Sequence, residues 1–277
     1  MSDSPILVTG ATGKTGSRVA ANLTQRGFAV RAVSRKSAVR FDWDDATTWQ
    51  PALQGVRAAY IVHPGLGFHG ATEQVRDFAL AAAAAGGKEV VLASTPDDGS
   101  EFSQARRAAE QYIVNAGLNL TSLRLRWFFQ NFSEDFLLQP VRSGELRLPA
   151  GFGKEAFVDA DDIAEVAVAA LTDDRHNGRQ YDLTGPYLLS FAEVAQEITS
   201  GAQHHLSYVP LDPATYVAEQ VAQQVPEEWA YSFSVLYQDI ASNKLAQVSG
   251  DVEAVLGKPP RDFPTFVSAM AKAGVWK

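Results

Sequence analysis

The sequence predicts an α/β fold, a doubly wound parallel sheet followed by a smaller C-terminal lobe. Three observations predict it. A short apolar run at residues 5–8 leads into Thr9-Gly10-Ala11-Thr12-Gly13-Lys14-Thr15-Gly16, and helical spacing follows from residue 15. Near-continuous apolar runs then alternate with helical segments as far as residue 125, the signature of parallel strands buried on both faces. After Trp127 the beat loosens and helices dominate. The 277 residues, 46% of them hydrophobic, suffice for one large domain or a domain with a small lobe.

In chain order, residues 5–9 read as a strand and 15–26 as a helix that Gly27 closes. Residues 28–33 alternate as a second strand, and 39–41 form a short third. A short helix at 47–54 ends near Gly55, and a strand at 57–62 runs into His63-Pro64-Gly65. The helix at 71–85 stops at Gly86-Gly87; the strand at 89–93, the helix at 103–115 and the strand at 118–125 complete the regular part. Residues 132–141 are expected to be helical. Residues 161–171 form an amphipathic helix with Asp161 and Asp162 at its positive end, and 180–184 the last sheet strand. The remainder mixes helices with a strand near 206–209. The expected organisation is a nucleotide-binding core over 1–150. Residues 151–277 then supply the last sheet strand and a substrate lobe closing over the carboxyl edge of the sheet, where open α/β sheets bind ligands.

A formal net charge of −8 argues against a nucleic-acid surface, which needs clustered Lys and Arg. The absence of cysteine rules out disulfides, thiolate metal sites and a Cys nucleophile. The first five residues lead toward a core strand without a basic or apolar leader, and the longest low-polarity run, 78–87, is far too short to span a bilayer. A cytoplasmic protein without membrane or nucleic-acid partners is expected, acting on a small-molecule substrate; nothing sets its oligomeric state.

The glycine-rich turn carries the chemistry. Strand, turn and helix in that order form a pyrophosphate site. Gly10 allows the sharp turn, Gly13 removes a side chain where phosphate approaches backbone, and Gly16 lets helix and strand pack closely. The helix start offers unpaired N–H groups and a positive dipole end. Gly10, Thr12, Gly13, Lys14, Thr15 and Gly16 are the candidate pyrophosphate residues. The G-x-x-G-x-x-G spacing points to the short-chain dehydrogenase/reductase kind of dinucleotide fold. Ser34-Arg35-Lys36 follows the second strand, with no acidic residue before Asp42. A carboxylate there would repel a ribose 2′-phosphate, whereas a guanidinium grips it, so the expected cofactor is NADPH. A solvated basic turn is the competing reading. Asp42 and Trp43 are expected beside the adenine, with Trp43 as a cap on the core the alternative.

With these residues in view, the chain resembles the NmrA-like group of atypical short-chain dehydrogenases/reductases, nearly end to end. Thr9 to Gly16 resembles the group's T-G-A-T-G-x-x-G turn, and Arg35 its NADP-selecting Arg. The stretch 124–131, Arg-Leu-Arg-Trp-Phe-Phe-Gln-Asn, resembles R-P-x-x-F-x-x-N with Leu125 in place of Pro. Residues 156–164 resemble F-V-x-x-x-D-I-A, 182–186 contain L-T-G-P, and 257–263 resemble a G-x-P-P-x-x-F found in a subset. That subset includes ergot-alkaloid reductases of the festuclavine and agroclavine dehydrogenase kind and NADPH-dependent quinone and azo reductases. The resemblance implies a Rossmann core that binds NADP and a reductase activity.

One departure stands out. Typical short-chain reductases carry Tyr-x-x-x-Lys, a proton donor and the Lys that lowers its pKa, on the helix after the strand at 89–93. The corresponding positions here are Phe102 and Arg106. Phe has no proton to give, and Arg stays charged at any working pH. Hydride transfer to an iminium ion or a quinone suits a site without a strong acid. The expected function is NADPH-dependent reduction of an aromatic or cyclic imine, iminium or quinone-type acceptor. The alternative is a non-catalytic NADP(H) sensor that binds a protein partner.

Catalytic candidates are His63, Ser94, Arg106 and Trp127. His63, with Pro64 after it, ends a strand on the nicotinamide side, placed to donate a proton or hydrogen-bond a ribose hydroxyl, or simply to form a His-Pro turn. Ser94 and Thr95 stand where short-chain reductases keep a substrate-orienting Ser. Phe102, Trp127, Phe128, Asn131, Trp229 and Phe233 are the candidate substrate pocket, within a wider aromatic set that adds Phe129, Phe132, Tyr231 and Tyr237, with core packing the competing reading for these rings. No metal site is expected: His204 and His205 face opposite sides of a strand, His69 and His176 lack ligand-spaced partners, and Asp159, Asp161 and Asp162 mark a helix start.

Overall fold

A computed structural model describes residues 4–67 and 70–277. His69 lies outside them. The strands are β1 Ile6–Val8, β2 Val30–Ala32, β3 Ala58–Ile61, β4 Glu89–Ser94, β5 Asn119–Leu125, β6 Glu145–Leu148, β7 Lys154–Glu155, β8 Gln180–Leu183, β9 Leu189–Ser190 and β10 Ser207–Pro210. The helices are α1 Lys14–Gln25, α2 Trp49–Leu53, α3 Ala71–Ala84, α4 Glu101–Asn115, α5 Asn131–Glu134, α6 Leu138–Ser143, α7 Ala160–Thr172, α8 Phe191–Ala202, α9 Pro213–Ala222, α10 Glu227–Ala241, α11 Asp251–Leu256 and α12 Phe263–Lys272. No helix among the described residues is long and apolar enough to cross a membrane.

Six strands form one parallel sheet in the order β2-β1-β3-β4-β5-β8. The expected last strand is β8, in parallel register with β5. Alternate side chains go to opposite faces. Leu7, Ala59, Ile61, Val90 and Leu92 pack with Val75 and Phe78 of α3 and Ala109 and Ile113 of α4. On the other face α1 lies beside α7, and the Arg18–Asp161 ion pair (2.8 Å) joins them.

The chain divides into two compact units that interleave along the sequence. The first takes residues up to Leu125, Ala160–Leu183 and Gly250–Pro259; the second takes Arg126–Asp159, Thr184–Ser249 and Pro260–Lys277. The first unit's leading stretch ends at 125 rather than the expected 150, since Arg126–Asp159 group with the second unit; α7, β8 and α11 group with the first, and β8 is the sheet strand expected from residues 151–277. The second unit holds the short pairs β6–β10 and β7–β9 and a core of its own, in which Phe129, Phe132, Phe157, Phe191, Tyr237 and Phe263 are fully buried.

Two expected elements are absent. Residues 39–41 form no strand, only an isolated Ser34–Arg40 bridge. The loop folds back on Ser34 instead: Phe41 N–H donates to Ser34 O (3.0 Å), and Ser37 Oγ–H points at Ser34 O and Val39 O. The helix expected at 132–141 is broken into α5 and α6 with Asp135 extended. A continuous helix would need an N–H from Pro140 to bond Phe136 O; restarting at Leu138 puts Pro140 in a first turn, where none is required.

Candidate functional site

The glycine turn at the carboxyl end of β1 is built from backbone. Gly10 has φ +60, and Gly13 N–H closes the turn on Gly10 O (2.8 Å). A Cβ on Gly16 would overlap the Gly10 carbonyl and come within 2.8 Å of Thr9 O, so helix and strand meet without room for a methyl. One on Gly13 would come within 3.3 Å of Gly10 O. Gly13 is the N-cap of α1, and no side chain caps that first turn, to which Lys14, Thr15 and Gly16 belong. Thr12 and Gly13 are exposed and Thr15 is buried. This arrangement fits a pyrophosphate: open N–H groups at a positive helix end, and glycines where side chains would block approach.

Beneath the turn, Tyr60 of β3 is fully buried and its hydroxyl, near Thr15, has no hydrogen-bond partner of ordinary geometry. Burial pushes its pKa up to about 12. Nothing in the sequence marks this residue; only strand register puts it there.

After β2, Arg35 and Lys36 are exposed, and no hydrogen bond or ion pair of the Arg35 guanidinium is found among the described residues. Ser34 and Ser37 shape the turn: Ser34 N–H donates to Ser37 Oγ (2.8 Å) and Lys36 N–H to Ser34 Oγ (3.2 Å). Asp42 accepts from Arg40 (3.1 Å) and from Asp44 N–H (3.3 Å). Trp43 is partly a cap on the core. Its ring meets Phe41, Trp49 and Phe78, and its indole N–H donates to Val62 O (3.1 Å).

His63 is buried, 4.6 Å ring to ring from Trp43, with the exposed Pro64 following it. Gly65 N–H donates to its Nδ1 (3.1 Å), and its Nε2 meets Gln74 Oε1 (2.8 Å). Burial lowers its pKa, against smaller opposing effects of Gln74 and Asp44. Both nitrogens are committed, so His63 holds no free proton for a reacting atom.

Ser94 ends β4 with a buried hydroxyl that lacks a partner. Phe102 and Arg106 stand one turn apart at the start of α4. Phe102 is 47% exposed, while Arg106 donates to Ser103 Oγ (2.8 Å) and Pro96 O (3.3 Å). Burial lowers the Arg106 pKa from its ordinary value, with Asp98 opposing. Ser100 caps α4, and Asp98 accepts from Ser100 and Ser103, so these side chains tie the loop to the helix.

In the second unit, Trp127 packs on Tyr237 (5.1 Å), Phe136 (6.2 Å) and Phe191 (6.3 Å), and Phe233 meets Phe136 at 5.2 Å. Trp127 and Phe233 are therefore joined through Phe136, which no sequence pattern singles out. Phe128 is half-buried in a bridge to Val158, Asn131 is buried at the start of α5, and Trp229 is 61% exposed on α10. Phe129, Phe132 and Tyr237, expected among pocket aromatics, are fully buried core. Tyr237 keeps a hydroxyl without a partner and a pKa raised by burial. Gln130 donates to Asp159 (2.9 Å), Asp161 pairs with Arg18, and His176 and His204 meet Tyr181 OH and Val141 O. No group of three potential metal ligands occurs among the described residues.

A six-stranded parallel sheet with an open glycine turn after its first strand defines a protein of the Rossmann class. The NmrA-like family model matches residues 2–267, and the chain belongs to that family. It is 33% identical to an uncharacterised oxidoreductase of Bacillus subtilis, over 98% of this chain and 96% of the relative. It is 31% identical to an NAD(P)H azoreductase of Xenophilus azovorans (97% and 98%) and 30% identical to festuclavine synthase I of Penicillium roqueforti (94% and 96%). Among solved structures, an NADPH-dependent quinone oxidoreductase of Escherichia coli complexed with NADPH shares the fold, with a TM-score of 0.82 at 23% identity over 96% of this chain and 99% of that one.

Proposed function

We propose that the protein is an NADPH-dependent reductase whose acceptor is an aromatic or cyclic imine, iminium or quinone. The carrying observation is the pairing of an uncapped α1 N-terminus with the free guanidinium of Arg35 after β2. The first suits a pyrophosphate and the second a 2′-phosphate. Gly10, Thr12, Gly13, Lys14, Thr15 and Gly16 would hold the pyrophosphate, with Arg35 and its neighbours Ser34 and Lys36 at the adenosine end. When bound, NADPH supplies the hydride.

The chain's own part is positioning. Phe102 and Arg106 replace the usual Tyr and Lys: Phe102 offers no proton, and Arg106 stays charged while bonded to Ser103 and Pro96. An acceptor that needs no acid at the moment of transfer fits this set. An imine enters as its iminium ion, protonated on nitrogen by solvent beforehand; the iminium carbon takes hydride and becomes an amine, its positive charge cancelled. A quinone takes hydride and becomes a hydroquinone anion, which water then protonates. The joined rings of Trp127, Phe136 and Phe233 suit a flat apolar acceptor. The kinship to an NAD(P)H azoreductase and to festuclavine synthase I supports this class.

The test is NADPH oxidation by the pure protein against a panel of quinones and cyclic imines. Turnover well above background is expected. Tight NADPH binding with no turnover across the panel would instead assign a sensor that docks a protein partner.

A further inference from the structure

His63, Gln74 and Asp44 form a chain of hydrogen bonds that has one consistent direction. Gly65 N–H can only donate, and it donates to His63 Nδ1 (3.1 Å). Nδ1 therefore carries no proton, and Nε2–H donates to Gln74 Oε1 (2.8 Å). That leaves the Gln74 amide N–H to donate to Asp44 Oδ1 (2.9 Å), a carboxylate that can only accept. An imidazolium would set a second N–H against that of Gly65, so the chain selects the neutral ring. The lowered pKa of the buried ring agrees. Upstream, Asp44 N–H donates to Asp42, which also holds Arg40.

The chain crosses the sheet's carboxyl edge. It starts in the loop after β2 and ends in the turn after β3, on either side of the glycine turn that follows β1. In this sheet order the β2 side takes the adenosine half of a dinucleotide and the β3 side the nicotinamide half. The turn after β3 also abuts the glycine turn: Val62 N–H donates to Thr9 Oγ1 (2.8 Å), and a Cβ on Gly10 would touch Val62 (3.3 Å).

We propose that Gln74 is a positioning residue for the nicotinamide half of the cofactor. With Asp44 it fixes His63 as the neutral Nε2–H tautomer, and so holds residues 63–65 against the pyrophosphate turn. This rests on the NADPH reading above. It also gives the buried histidine a purpose other than proton transfer.

The experiment compares two ligands by calorimetry. NADPH spans both halves; adenosine 2′,5′-bisphosphate reports the adenosine half alone. Gln74→Leu keeps the bulk of the side chain and removes both hydrogen bonds. It should weaken NADPH about tenfold, the loss of roughly one buried hydrogen bond, and leave the bisphosphate within about twofold. The ¹⁵N resonances of His63 should lose the pure Nε2–H tautomer pattern. Asp44→Leu should reproduce both effects from an exposed loop, and it carries the test if Gln74→Leu fails to fold. Asp44→Asn, whose carbonyl still accepts, should restore them. Equal weakening of both ligands, or an unchanged NADPH affinity once the tautomer is lost, overturns the proposal. Failure of the cofactor reading would look different: the unaltered protein would not bind NADPH at all.

Discussion

Around Gly10–Gly16 the first unit presents backbone: a turn closed by main-chain bonds, a helix end without a side-chain cap, and positions where even a methyl collides. Around Trp127 the second unit presents rings, with Trp127, Phe136 and Phe233 in edge and tilted contact and an exposed Trp229 on the same helix as Phe233. Backbone N–H groups have fixed direction and charge preference, so the first region suits one kind of ligand, an anion of set geometry. Clustered rings select flatness and apolarity, which many molecules share. The contrast is between a site whose backbone dictates the geometry of its ligand and a cluster of rings that dictates only shape and polarity.

Four substitutions test that contrast, the largest effect first. Gly16→Ala forces a Cβ into the Gly10 carbonyl, so backbone must move. A loss of about 3 kcal/mol in urea unfolding is expected, with NADPH binding abolished. A fully stable variant that still binds would show that the turn is less rigid than its packing implies. Arg35→Ala should come next. Losing a charge-assisted contact costs about 1.5–3 kcal/mol, so NADPH affinity should fall by roughly 10- to 100-fold while NADH affinity scarcely changes. Equal affinities for the two cofactors in the unaltered protein would remove Arg35 from the 2′-phosphate.

The smallest effect compares one buried phenol from each unit. Tyr60 and Tyr237 both bury a hydroxyl without a partner, so Tyr60→Phe and Tyr237→Phe should each stabilise the fold by about 1 kcal/mol in thermal unfolding. If the Tyr237 hydroxyl instead serves the acceptor, Tyr237→Phe will lower kcat/KM without changing NADPH affinity. The phenols also set an alkaline limit. Burial raises Tyr60, Tyr208 and Tyr216 to about 12, and it pushes Tyr237 well above its ordinary value. An acid whose pKa is raised on folding keeps its proton longer in the folded chain than in the unfolded one. Its contribution is thus complete below the unfolded value near 10 and is lost as pH climbs toward 12. Three of these four phenols belong to the second unit, so its near-ultraviolet circular dichroism should fade first.

Much of the first region is legible in the amino-acid sequence. The glycine spacing needs only local physics: a positive φ at Gly10 and a close approach at Gly16 are properties of neighbouring residues. Arg35 follows from its place after a strand. Legibility ends where a partner lies far along the chain. His63 meets Gln74 eleven positions away, and Gln74 meets Asp44 thirty positions back, so no pattern around the histidine shows what its ring touches. Phe129, Phe132 and Tyr237 read as pocket aromatics for the same reason: composition cannot say which face of a helix or strand the core will cover.

Periodicity and glycine spacing by themselves determined the alternation of buried strands and helices and the backbone turn at Gly10–Gly16, because each is set by neighbouring residues. Tertiary structure alone decided that residues 126–149 group with the second unit and 250–259 with the first, that Phe136 joins Trp127 to Phe233, and that Gln74 bridges His63 and Asp44. Those facts depend on which surfaces the packed helices bury and on hydrogen bonds closed across the fold, and no local pattern encodes them.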